Sequence, residues 1–424
     1  MTYLCFVIDV HQPMRLNRAF PYERVKRMAE GASLMDRYLD DKLDQELFND
    51  FSRECYDPTF NALLEMIDST KDSEKPFKVS LCLSGLFIEQ ARRYDPQLIE
   101  ILKKLVATKY VEILGGSYYH SLASIYPGGI IEFIEQIKQH QDLMKNLFEA
   151  EPKVFENTDL IYNNSVAKAI ERVGYEGVIT EGVFDILEGN LPTHVYSSPG
   201  DKGLKILFRH NNLSDDISLR FSMNTWREFP LTAEKYCGWL SATLGDALLV
   251  ILKIEAFGKH HPKSTGIFDF LRQLPMEIAK KDQLKWGTPT ELIRNLQSSG
   301  IIVVPEVRTI SWMDGKDTSP WLENSMQRIS FDRIVSLGPY IKKINDVGIT
   351  KIWRLLQQSD HLLFMSDRSD KEKMGRHGHY STPAEAFAVF NAVYTDFEGK
   401  VATIVQRIRR SKSSQSSLPK PFSS

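Results

Sequence analysis

The chain has 424 residues, with 53 basic and 55 acidic side chains, a formal net charge of −2 and 42% hydrophobic residues. That balance supplies no basic field for gripping nucleic-acid backbones, so nucleic acid is set aside as a partner, while the length allows two or three structural units. No uninterrupted apolar run approaches the ~18 residues that cross a bilayer, so a membrane is set aside as well.

The opening segment MTYLCFVIDVHQP is short and alternating, which predicts a strand rather than a signal peptide. Six further β-rich runs follow before residue 260: FKVSLCLSG, YVEILGG, KVFENT, GVIT, KILF and ALLVILKI. Helical patterns separate most of them, including ASLMDRYLDDKLDQELF and TFNALLEMIDS before the second run, QLIEILKKLVATK before the third and IEFIEQIKQHQDLMKNLF before the fourth. Strands alternating with helices of this length predict βαβ units and a parallel sheet, and runs that are apolar throughout predict strands covered on both faces. A closed or nearly closed seven-stranded barrel and an open doubly wound sheet both fit that period. No GxGxxG follows the first strand, which argues against dinucleotide binding.

From about residue 262 helix follows helix, which predicts a barrel domain over 1–261, a helical domain over 262–405 and a Ser- and Pro-rich disordered tail over 406–424. Thr288-Pro289-Thr290-Glu291 and Thr382-Pro383-Ala384-Glu385 both carry the order of a capping Thr, a first-turn Pro and a reciprocal Glu. Phe387, Phe390, Tyr394 and Phe397 fall at helical spacing, as core residues do. The four cysteines, Cys5, Cys55, Cys82 and Cys237, are scattered with no CxxC, which predicts buried thiols in a reducing cytoplasm.

Ligands gather at the carboxyl ends of parallel strands, so polar residues where an apolar run stops are candidates. The first run ends in Asp9-Val10-His11-Gln12-Pro13, and the third carries Glu112 and leads into Ser117-Tyr118-Tyr119-His120. The fourth ends in Glu156-Asn157-Thr158-Asp159, and the seventh in Lys253-Ile254-Glu255, followed by Lys259-His260-His261. Singly each has a structural explanation. Together, carboxylates, imidazoles and aromatics on one rim are what glycosidic-bond chemistry uses.

His11-Gln12-Pro13, VEILGGSYYHSLASIY (111–126), FENTDLIYNN (155–164), LSDDISLRFS (213–222), IEAFGKHHPKSTGIFDFL (254–271) and QQSDHLLFMS (357–366) resemble the motifs of glycoside hydrolase family 57, in particular its α-amylase-like members. The resemblance runs from the opening strand to about residue 400. It implies a (β/α)7 barrel followed by a helical domain, an α-1,4-glucan or maltooligosaccharide partner, no cofactor, and a retaining mechanism. It also implies a glutamate nucleophile after the fourth strand and an aspartate acid/base at the seventh. This chain carries Asp159 and Lys253 at those two positions.

Asp159 is one methylene short of the expected nucleophile, and a misplacement of ~1 Å can cost about 100-fold in rate. An ammonium with an ordinary pKa of ~10.4 is a poor acid for a leaving oxygen. A lysine inside ALLVILKI needs a compensating charge, so an ion pair between Lys253 and Asp159 is expected, leaving a glucan-binding protein with impaired or absent hydrolysis. The alternative is an active hydrolase or transferase with Asp159 as nucleophile and Glu255 as acid/base, since strand alternation would aim residues 253 and 255 the same way. By resemblance, His11, Gln12, Glu112, Tyr118, His120 and His260 would contact substrate or orient catalytic groups, and Asp360 with His361 would reach back from the helical domain. Trp226, Trp312 and Trp353 are candidates for stacking on glucose rings. His260-His261 and His377-Gly378-His379 lack a further ligand at familiar spacing, so no metal is expected. The sequence leaves the oligomeric state open.

Overall fold

The computed structural model describes residues 1–23, 33–128, 130–200, 203–368 and 379–416. Its nine strands are β1 (Thr2–Val10), β2 (Val79–Leu83), β3 (Val111–Ile113), β4 (Val154–Glu156), β5 (Gly177–Glu181), β6 (Tyr196–Ser197), β7 (Lys205–Arg209), β8 (Ala247–Lys253) and β9 (Leu284–Gly287). The order is β3-β2-β1-β8-β7-β5-β4, every pairing along it parallel. A parallel bridge between Gly115 and Phe155 brings the two ends of that order together. Gly115 N–H donates to Val154 O at 2.9 Å, and Glu156 N–H returns a bond to Gly115 O at 2.8 Å. Glycine is required there, because a Cβ on residue 115 would stand 2.2 Å from the Tyr175 hydroxyl. The seven runs read as strands are these seven barrel strands.

Two strands lay outside the sequence reading. β6 pairs antiparallel with β7, and β9 pairs with Thr2–Cys5 of β1, below the stretch Val7–Val10 that pairs with β2. β9 and the helix Ile267–Ala279 belong to the barrel unit, which is assembled from Met1–Pro13 and Lys42–Pro320. The compact division therefore falls near residue 320 and not at 261. Residues 262–320 carry the apolar side chains Ile267, Phe268, Leu271, Leu274 and Trp286 that complete the barrel's outer core. The second unit draws on Met14–Asp41, Trp321–Asp367 and the C-terminal helix.

In that second unit the main helices are Ser325–Ile344, Val347–Leu355, Ser359–Phe364 and Pro383–Ser416. Phe390, Tyr394 and Phe397 are buried as their spacing predicts, and Phe387 is half-buried. The last helix runs on to Ser416, into the segment expected to be disordered, and residues 417–424 lie outside the described residues. The Thr288 capping box is present as read, and Thr382 Oγ1 accepts from Glu385 N–H at 3.1 Å. All four cysteines are free and buried. No helix among the described residues is long and apolar enough to cross a membrane.

Candidate active site

The parallel register places Asp9 of β1 opposite both Cys82 of β2 and Lys253 of β8, so the strand ends form one rim. β4 stops at Glu156 and the chain turns through a single 3-10 turn, Thr158–Leu160. Asp159 sits in that turn with φ 49° and ψ 32°, a left-handed conformation that only Gly, Asn and Asp visit readily. Its backbone carbonyl accepts from Trp312 N–H at 3.1 Å, which helps to hold the turn.

This turn delivers the Asp159 carboxylate to Lys253. Lys253 Nζ donates to Asp159 Oδ1 at 3.2 Å, forming the expected ion pair, and Trp312 Nε1–H donates to the same oxygen at 2.9 Å. The Asp159 side chain is wholly buried and that of Lys253 is 13% exposed. The ammonium also lies 4.9 Å from the centre of the Trp312 ring, a cation–π distance. Trp312, a candidate sugar platform, is here a partner of both Asp159 and Lys253.

A second set of charges encloses them. Arg209, the last residue of β7, donates to Glu181 at 3.1 Å, to Asp215, and through Nε to Ile251 O at 3.2 Å. Its guanidinium lies 5.6 Å from the centre of the Trp312 ring. Burial works against the Arg209 charge, but Glu181 and Asp215 outweigh it and raise its pKa. Lys316 Nζ donates to Glu181 and to Trp312 O, each at 3.1 Å. The sequence reading missed Arg209, Glu181 and Lys316. The first two end apolar runs just as Lys253 does, and that was the available signal.

Arg209, Lys253 and Lys316, the carboxylates Asp215 and Asp314, and His260 and Trp312 are among the residues that line a pocket of about 80 Å³. Glu255 is not among its lining residues. The strand ends at Lys253, and Glu255 falls in a 3-10 turn, Ile254–Ala256, so alternation along a strand does not aim the two side chains together. The Glu255 carboxylate instead lies near Cys55, whose thiol pKa is pushed up by burial and then by that charge. His260 lines the pocket, whereas His261 is bound to Ser222 Oγ at 2.8 Å and to Ser218 O at 3.1 Å. Burial lowers the pKa of His261.

Among the remaining candidates of the barrel unit, His11, Gln12, Tyr118 and His120 are buried and engaged. His11 Nδ1 and Ser84 Oγ share a hydrogen bond at 2.8 Å, and the His11 ring stacks on His120 at 3.9 Å between centres and 7° between planes. Gln12 Oε1 accepts from Tyr56 OH at 2.9 Å, and Tyr118 OH donates to Glu89 at 2.8 Å. Glu112 is placed elsewhere: it is level with Ser80 and Val7, below the rim, and accepts from Thr290 N–H at 3.1 Å and Thr290 Oγ1 at 2.6 Å. Its carboxylate ties the helix Pro289–Asn295 to the barrel wall. Burial raises its pKa, and the threonine hydrogen bonds oppose that shift. Trp226 is half-buried, packs on Trp239 with 6.0 Å between ring centres, and has Arg220 5.7 Å from its own ring centre.

One further carboxyl, named at the end of the fourth run, had been given no role. Glu156 is buried at the end of β4, and burial followed by the neighbouring Asp9 pushes its pKa well above the ordinary carboxylate value. A Cys82 hydrogen bond and the Lys253 charge oppose that shift without reversing it.

In the helical unit, Asp360 and His361 are buried, and His361 Nε2 makes a 3.1 Å bond to Leu355 O. Burial lowers the His361 pKa to about 4, so the ring is neutral at neutral pH. Trp353 is a core residue there, with Nε1–H on Ile334 O at 3.0 Å, and its ring is not open to a sugar. His377 and Gly378 lie outside the described residues, and His379 Nε2 contacts Leu16 O at 3.3 Å.

The glycosyl hydrolase family 57 model matches residues 5–305. A Methanocaldococcus jannaschii protein named "Putative alpha-amylase" is 40% identical over 406 residues, covering 93% of this chain and 84% of its own. Among solved structures, the family 57 branching enzyme of Thermococcus kodakaraensis superposes with a TM-score of 0.67 at 13% identity, covering 96% of this chain and 91% of that one. The 4-alpha-glucanotransferase of Thermococcus litoralis gives a TM-score of 0.63 at 15% identity over 85% of this chain. This chain spans 56% of the glucanotransferase's length.

Proposed function

Because the chain belongs to glycosyl hydrolase family 57, we propose that it is an α-amylase-like protein that recognises α-1,4-glucans or maltooligosaccharides and hydrolyses them poorly or not at all. The observation that carries this reading is the buried 3.2 Å ion pair between Lys253 and Asp159. By resemblance, these residues occupy the acid/base and nucleophile positions.

A retaining glycosidase needs one carboxylate free to attack and a second carboxyl to protonate the leaving oxygen. Here one oxygen of the Asp159 carboxylate, Oδ1, is engaged by both an ammonium and an indole N–H, and the residue at the proton-donor position is a lysine. Glu255 as a substitute acid draws no support from its position in the turn after β8, since it does not line the pocket that contains Lys253. The glucan class comes from the family and from the names of the M. jannaschii and Thermococcus proteins. Four buried, unpaired cysteines are consistent with a reducing compartment, and the cytoplasm is the location we assign.

The deciding experiment compares product release from maltooligosaccharide by the wild type and by the double variant Lys253→Asp/Asp159→Glu. Product from the double variant alone supports the reading. Clear turnover by the wild type overturns it.

A further inference from the structure

We propose that Glu156 is a second, proton-controlled partner of Lys253: while its carboxyl is neutral the ammonium stays on Asp159, and once it ionises the ammonium moves to it and releases Asp159. The consequence for sugar chemistry rests on the reading above, because Asp159 is the carboxylate that a sugar would have to meet unpaired.

The barrel pattern places these groups. In β1, β2 and β8 the side chains Ile8, Val10, Leu81, Leu83, Val250 and Leu252 pack into the outer core. Alternation therefore turns Asp9, Cys82 and Lys253 into the bore, and the parallel register sets them side by side. In β4, Phe155 meets Phe133 of the helix Ile130–Phe148 at 5.8 Å between ring centres, so its neighbour Glu156 faces the bore as well. One layer of the bore thus holds Asp9, Cys82, Glu156 and Lys253, with Asp159 on the turn that follows β4.

Hydrogen-bond accounting singles out Glu156 within that layer. The Lys253–Asp159 contact at 3.2 Å is longer than the ~2.7–2.9 Å usual for an ammonium on a carboxylate, and it uses one of three N–H groups. Glu156 Oε2 is buried with no hydrogen-bond partner among the described residues, so it can accept the ammonium without giving up a bond. Burial first and Asp9 second hold the proton on Glu156, as does the Asp159 charge, whereas the Cys82 hydrogen bond and the Lys253 charge favour its ionised form. Two further titratable groups stand close, and both are neutral. Burial and then the Glu156 charge push the Cys82 thiol up, and burial lowers His140, which stands with Cys82 around Gly116, to about 4.

The test is ¹H–¹⁵N NMR of the full chain labelled with ¹⁵N-tryptophan. Trp312 Nε1–H donates to Asp159 Oδ1 and is one of six indoles, assigned as the signal lost in Trp312→Phe. As pH rises from about 5 to about 9.5, above the ordinary carboxylate value of about 4.3, this signal should shift along one titration curve in the wild type. Loss of the ammonium strengthens the bond that Asp159 accepts from the indole. In Glu156→Gln, which keeps the shape and cannot ionise, the signal should stay in place. Asp9→Asn should move the wild-type midpoint to lower pH, because the Asp9 charge is one of the causes that hold the proton on Glu156. A flat wild-type signal, the same curve in Glu156→Gln, or an unmoved midpoint in Asp9→Asn each overturns the proposal. An undiminished shift in Lys253→Met overturns it too, since Glu156 would then act on Asp159 without the lysine. Turnover plays no part in this measurement, so its failure leaves the functional reading standing, and wild-type turnover would overturn that reading without touching the exchange.

Discussion

Trp312 Nε1 and Lys253 Nζ converge on a single oxygen, Asp159 Oδ1, at 2.9 and 3.2 Å. An indole N–H and an ammonium on one buried carboxylate make that residue a structural anchor, and the consequences can be measured.

Removing the cation alone should destabilise the fold. Lys253→Met removes the ammonium from the wholly buried Asp159, and breaking a buried pair costs about 3–5 kcal/mol. Lys253→Met/Asp159→Asn should recover most of that loss, since Asn tolerates the left-handed backbone at residue 159. Urea unfolding of the wild type, both single variants and the double variant checks this. A Lys253→Met cost near zero would show that the pair contributes no coupling.

Trp312→Phe keeps a ring under Lys253 and removes the N–H on Asp159. The expected cost is about 1–3 kcal/mol, the penalty of a lost bond to a buried charged group. Trp312→Ala should cost more, about 3–5 kcal/mol, because a cavity opens as well. Equal midpoints for wild type and Trp312→Phe in urea would rule out the indole bond as a support.

His140 couples the helix Ile130–Phe148 to the rim as a neutral ring: Nε2 bonds Leu83 O at 2.8 Å, and Nδ1 accepts from Gly116 N–H at 3.3 Å. Burial lowers its pKa to about 4, below the ordinary value near 6.5. The unfolded chain therefore binds the proton more readily, and stability falls as pH drops from about 6.5 towards 4. The loss attributable to this one ring is of order 2–4 kcal/mol. His140→Gln should be less stable than wild type at pH 7 and show a flatter profile between pH 6.5 and 4. Parallel slopes for the two proteins would contradict this.

Glu156 works with the opposite sign. Its folded pKa is raised, by burial first and Asp9 second, so the folded state holds its proton more tightly than the unfolded chain does. Its contribution is largest below the ordinary carboxylate value of about 4.3 and is lost as pH rises towards the folded value. Glu156→Gln should therefore gain stability relative to wild type as pH goes from 4 to 7. Denaturation midpoints at those two pH values measure the difference, and a gap that does not change with pH would count against it.

Much of this protein was legible in its residues alone. Runs of apolar residues of strand length, separated by amphipathic helices, set the seven barrel strands, because strands covered on both faces need continuous apolar sequence. Local chemistry likewise marked the Thr288 cap and the buried aromatics of the last helix. The resemblance implied that Asp159 and Lys253 face one cleft, and because a buried ammonium needs a counter-charge, their ion pair could be expected. What the sequence could not supply depends on distance and direction. A short strand such as Leu284–Gly287 carries too few residues for a period, and its pairing with β1, with the packing of the helix Ile267–Ala279 on the barrel core, puts the unit boundary past residue 261. Glu255 looked like a neighbour of Lys253 until the strand ended one residue earlier, and Glu112 looked like a site residue until Thr290, 178 positions away, took both its oxygens. Arg209 and Glu181 meet because β5 and β7 pair with these two residues opposite each other, and Lys316 joins them from the 310–317 segment beside Trp312; no linear spacing encodes that meeting.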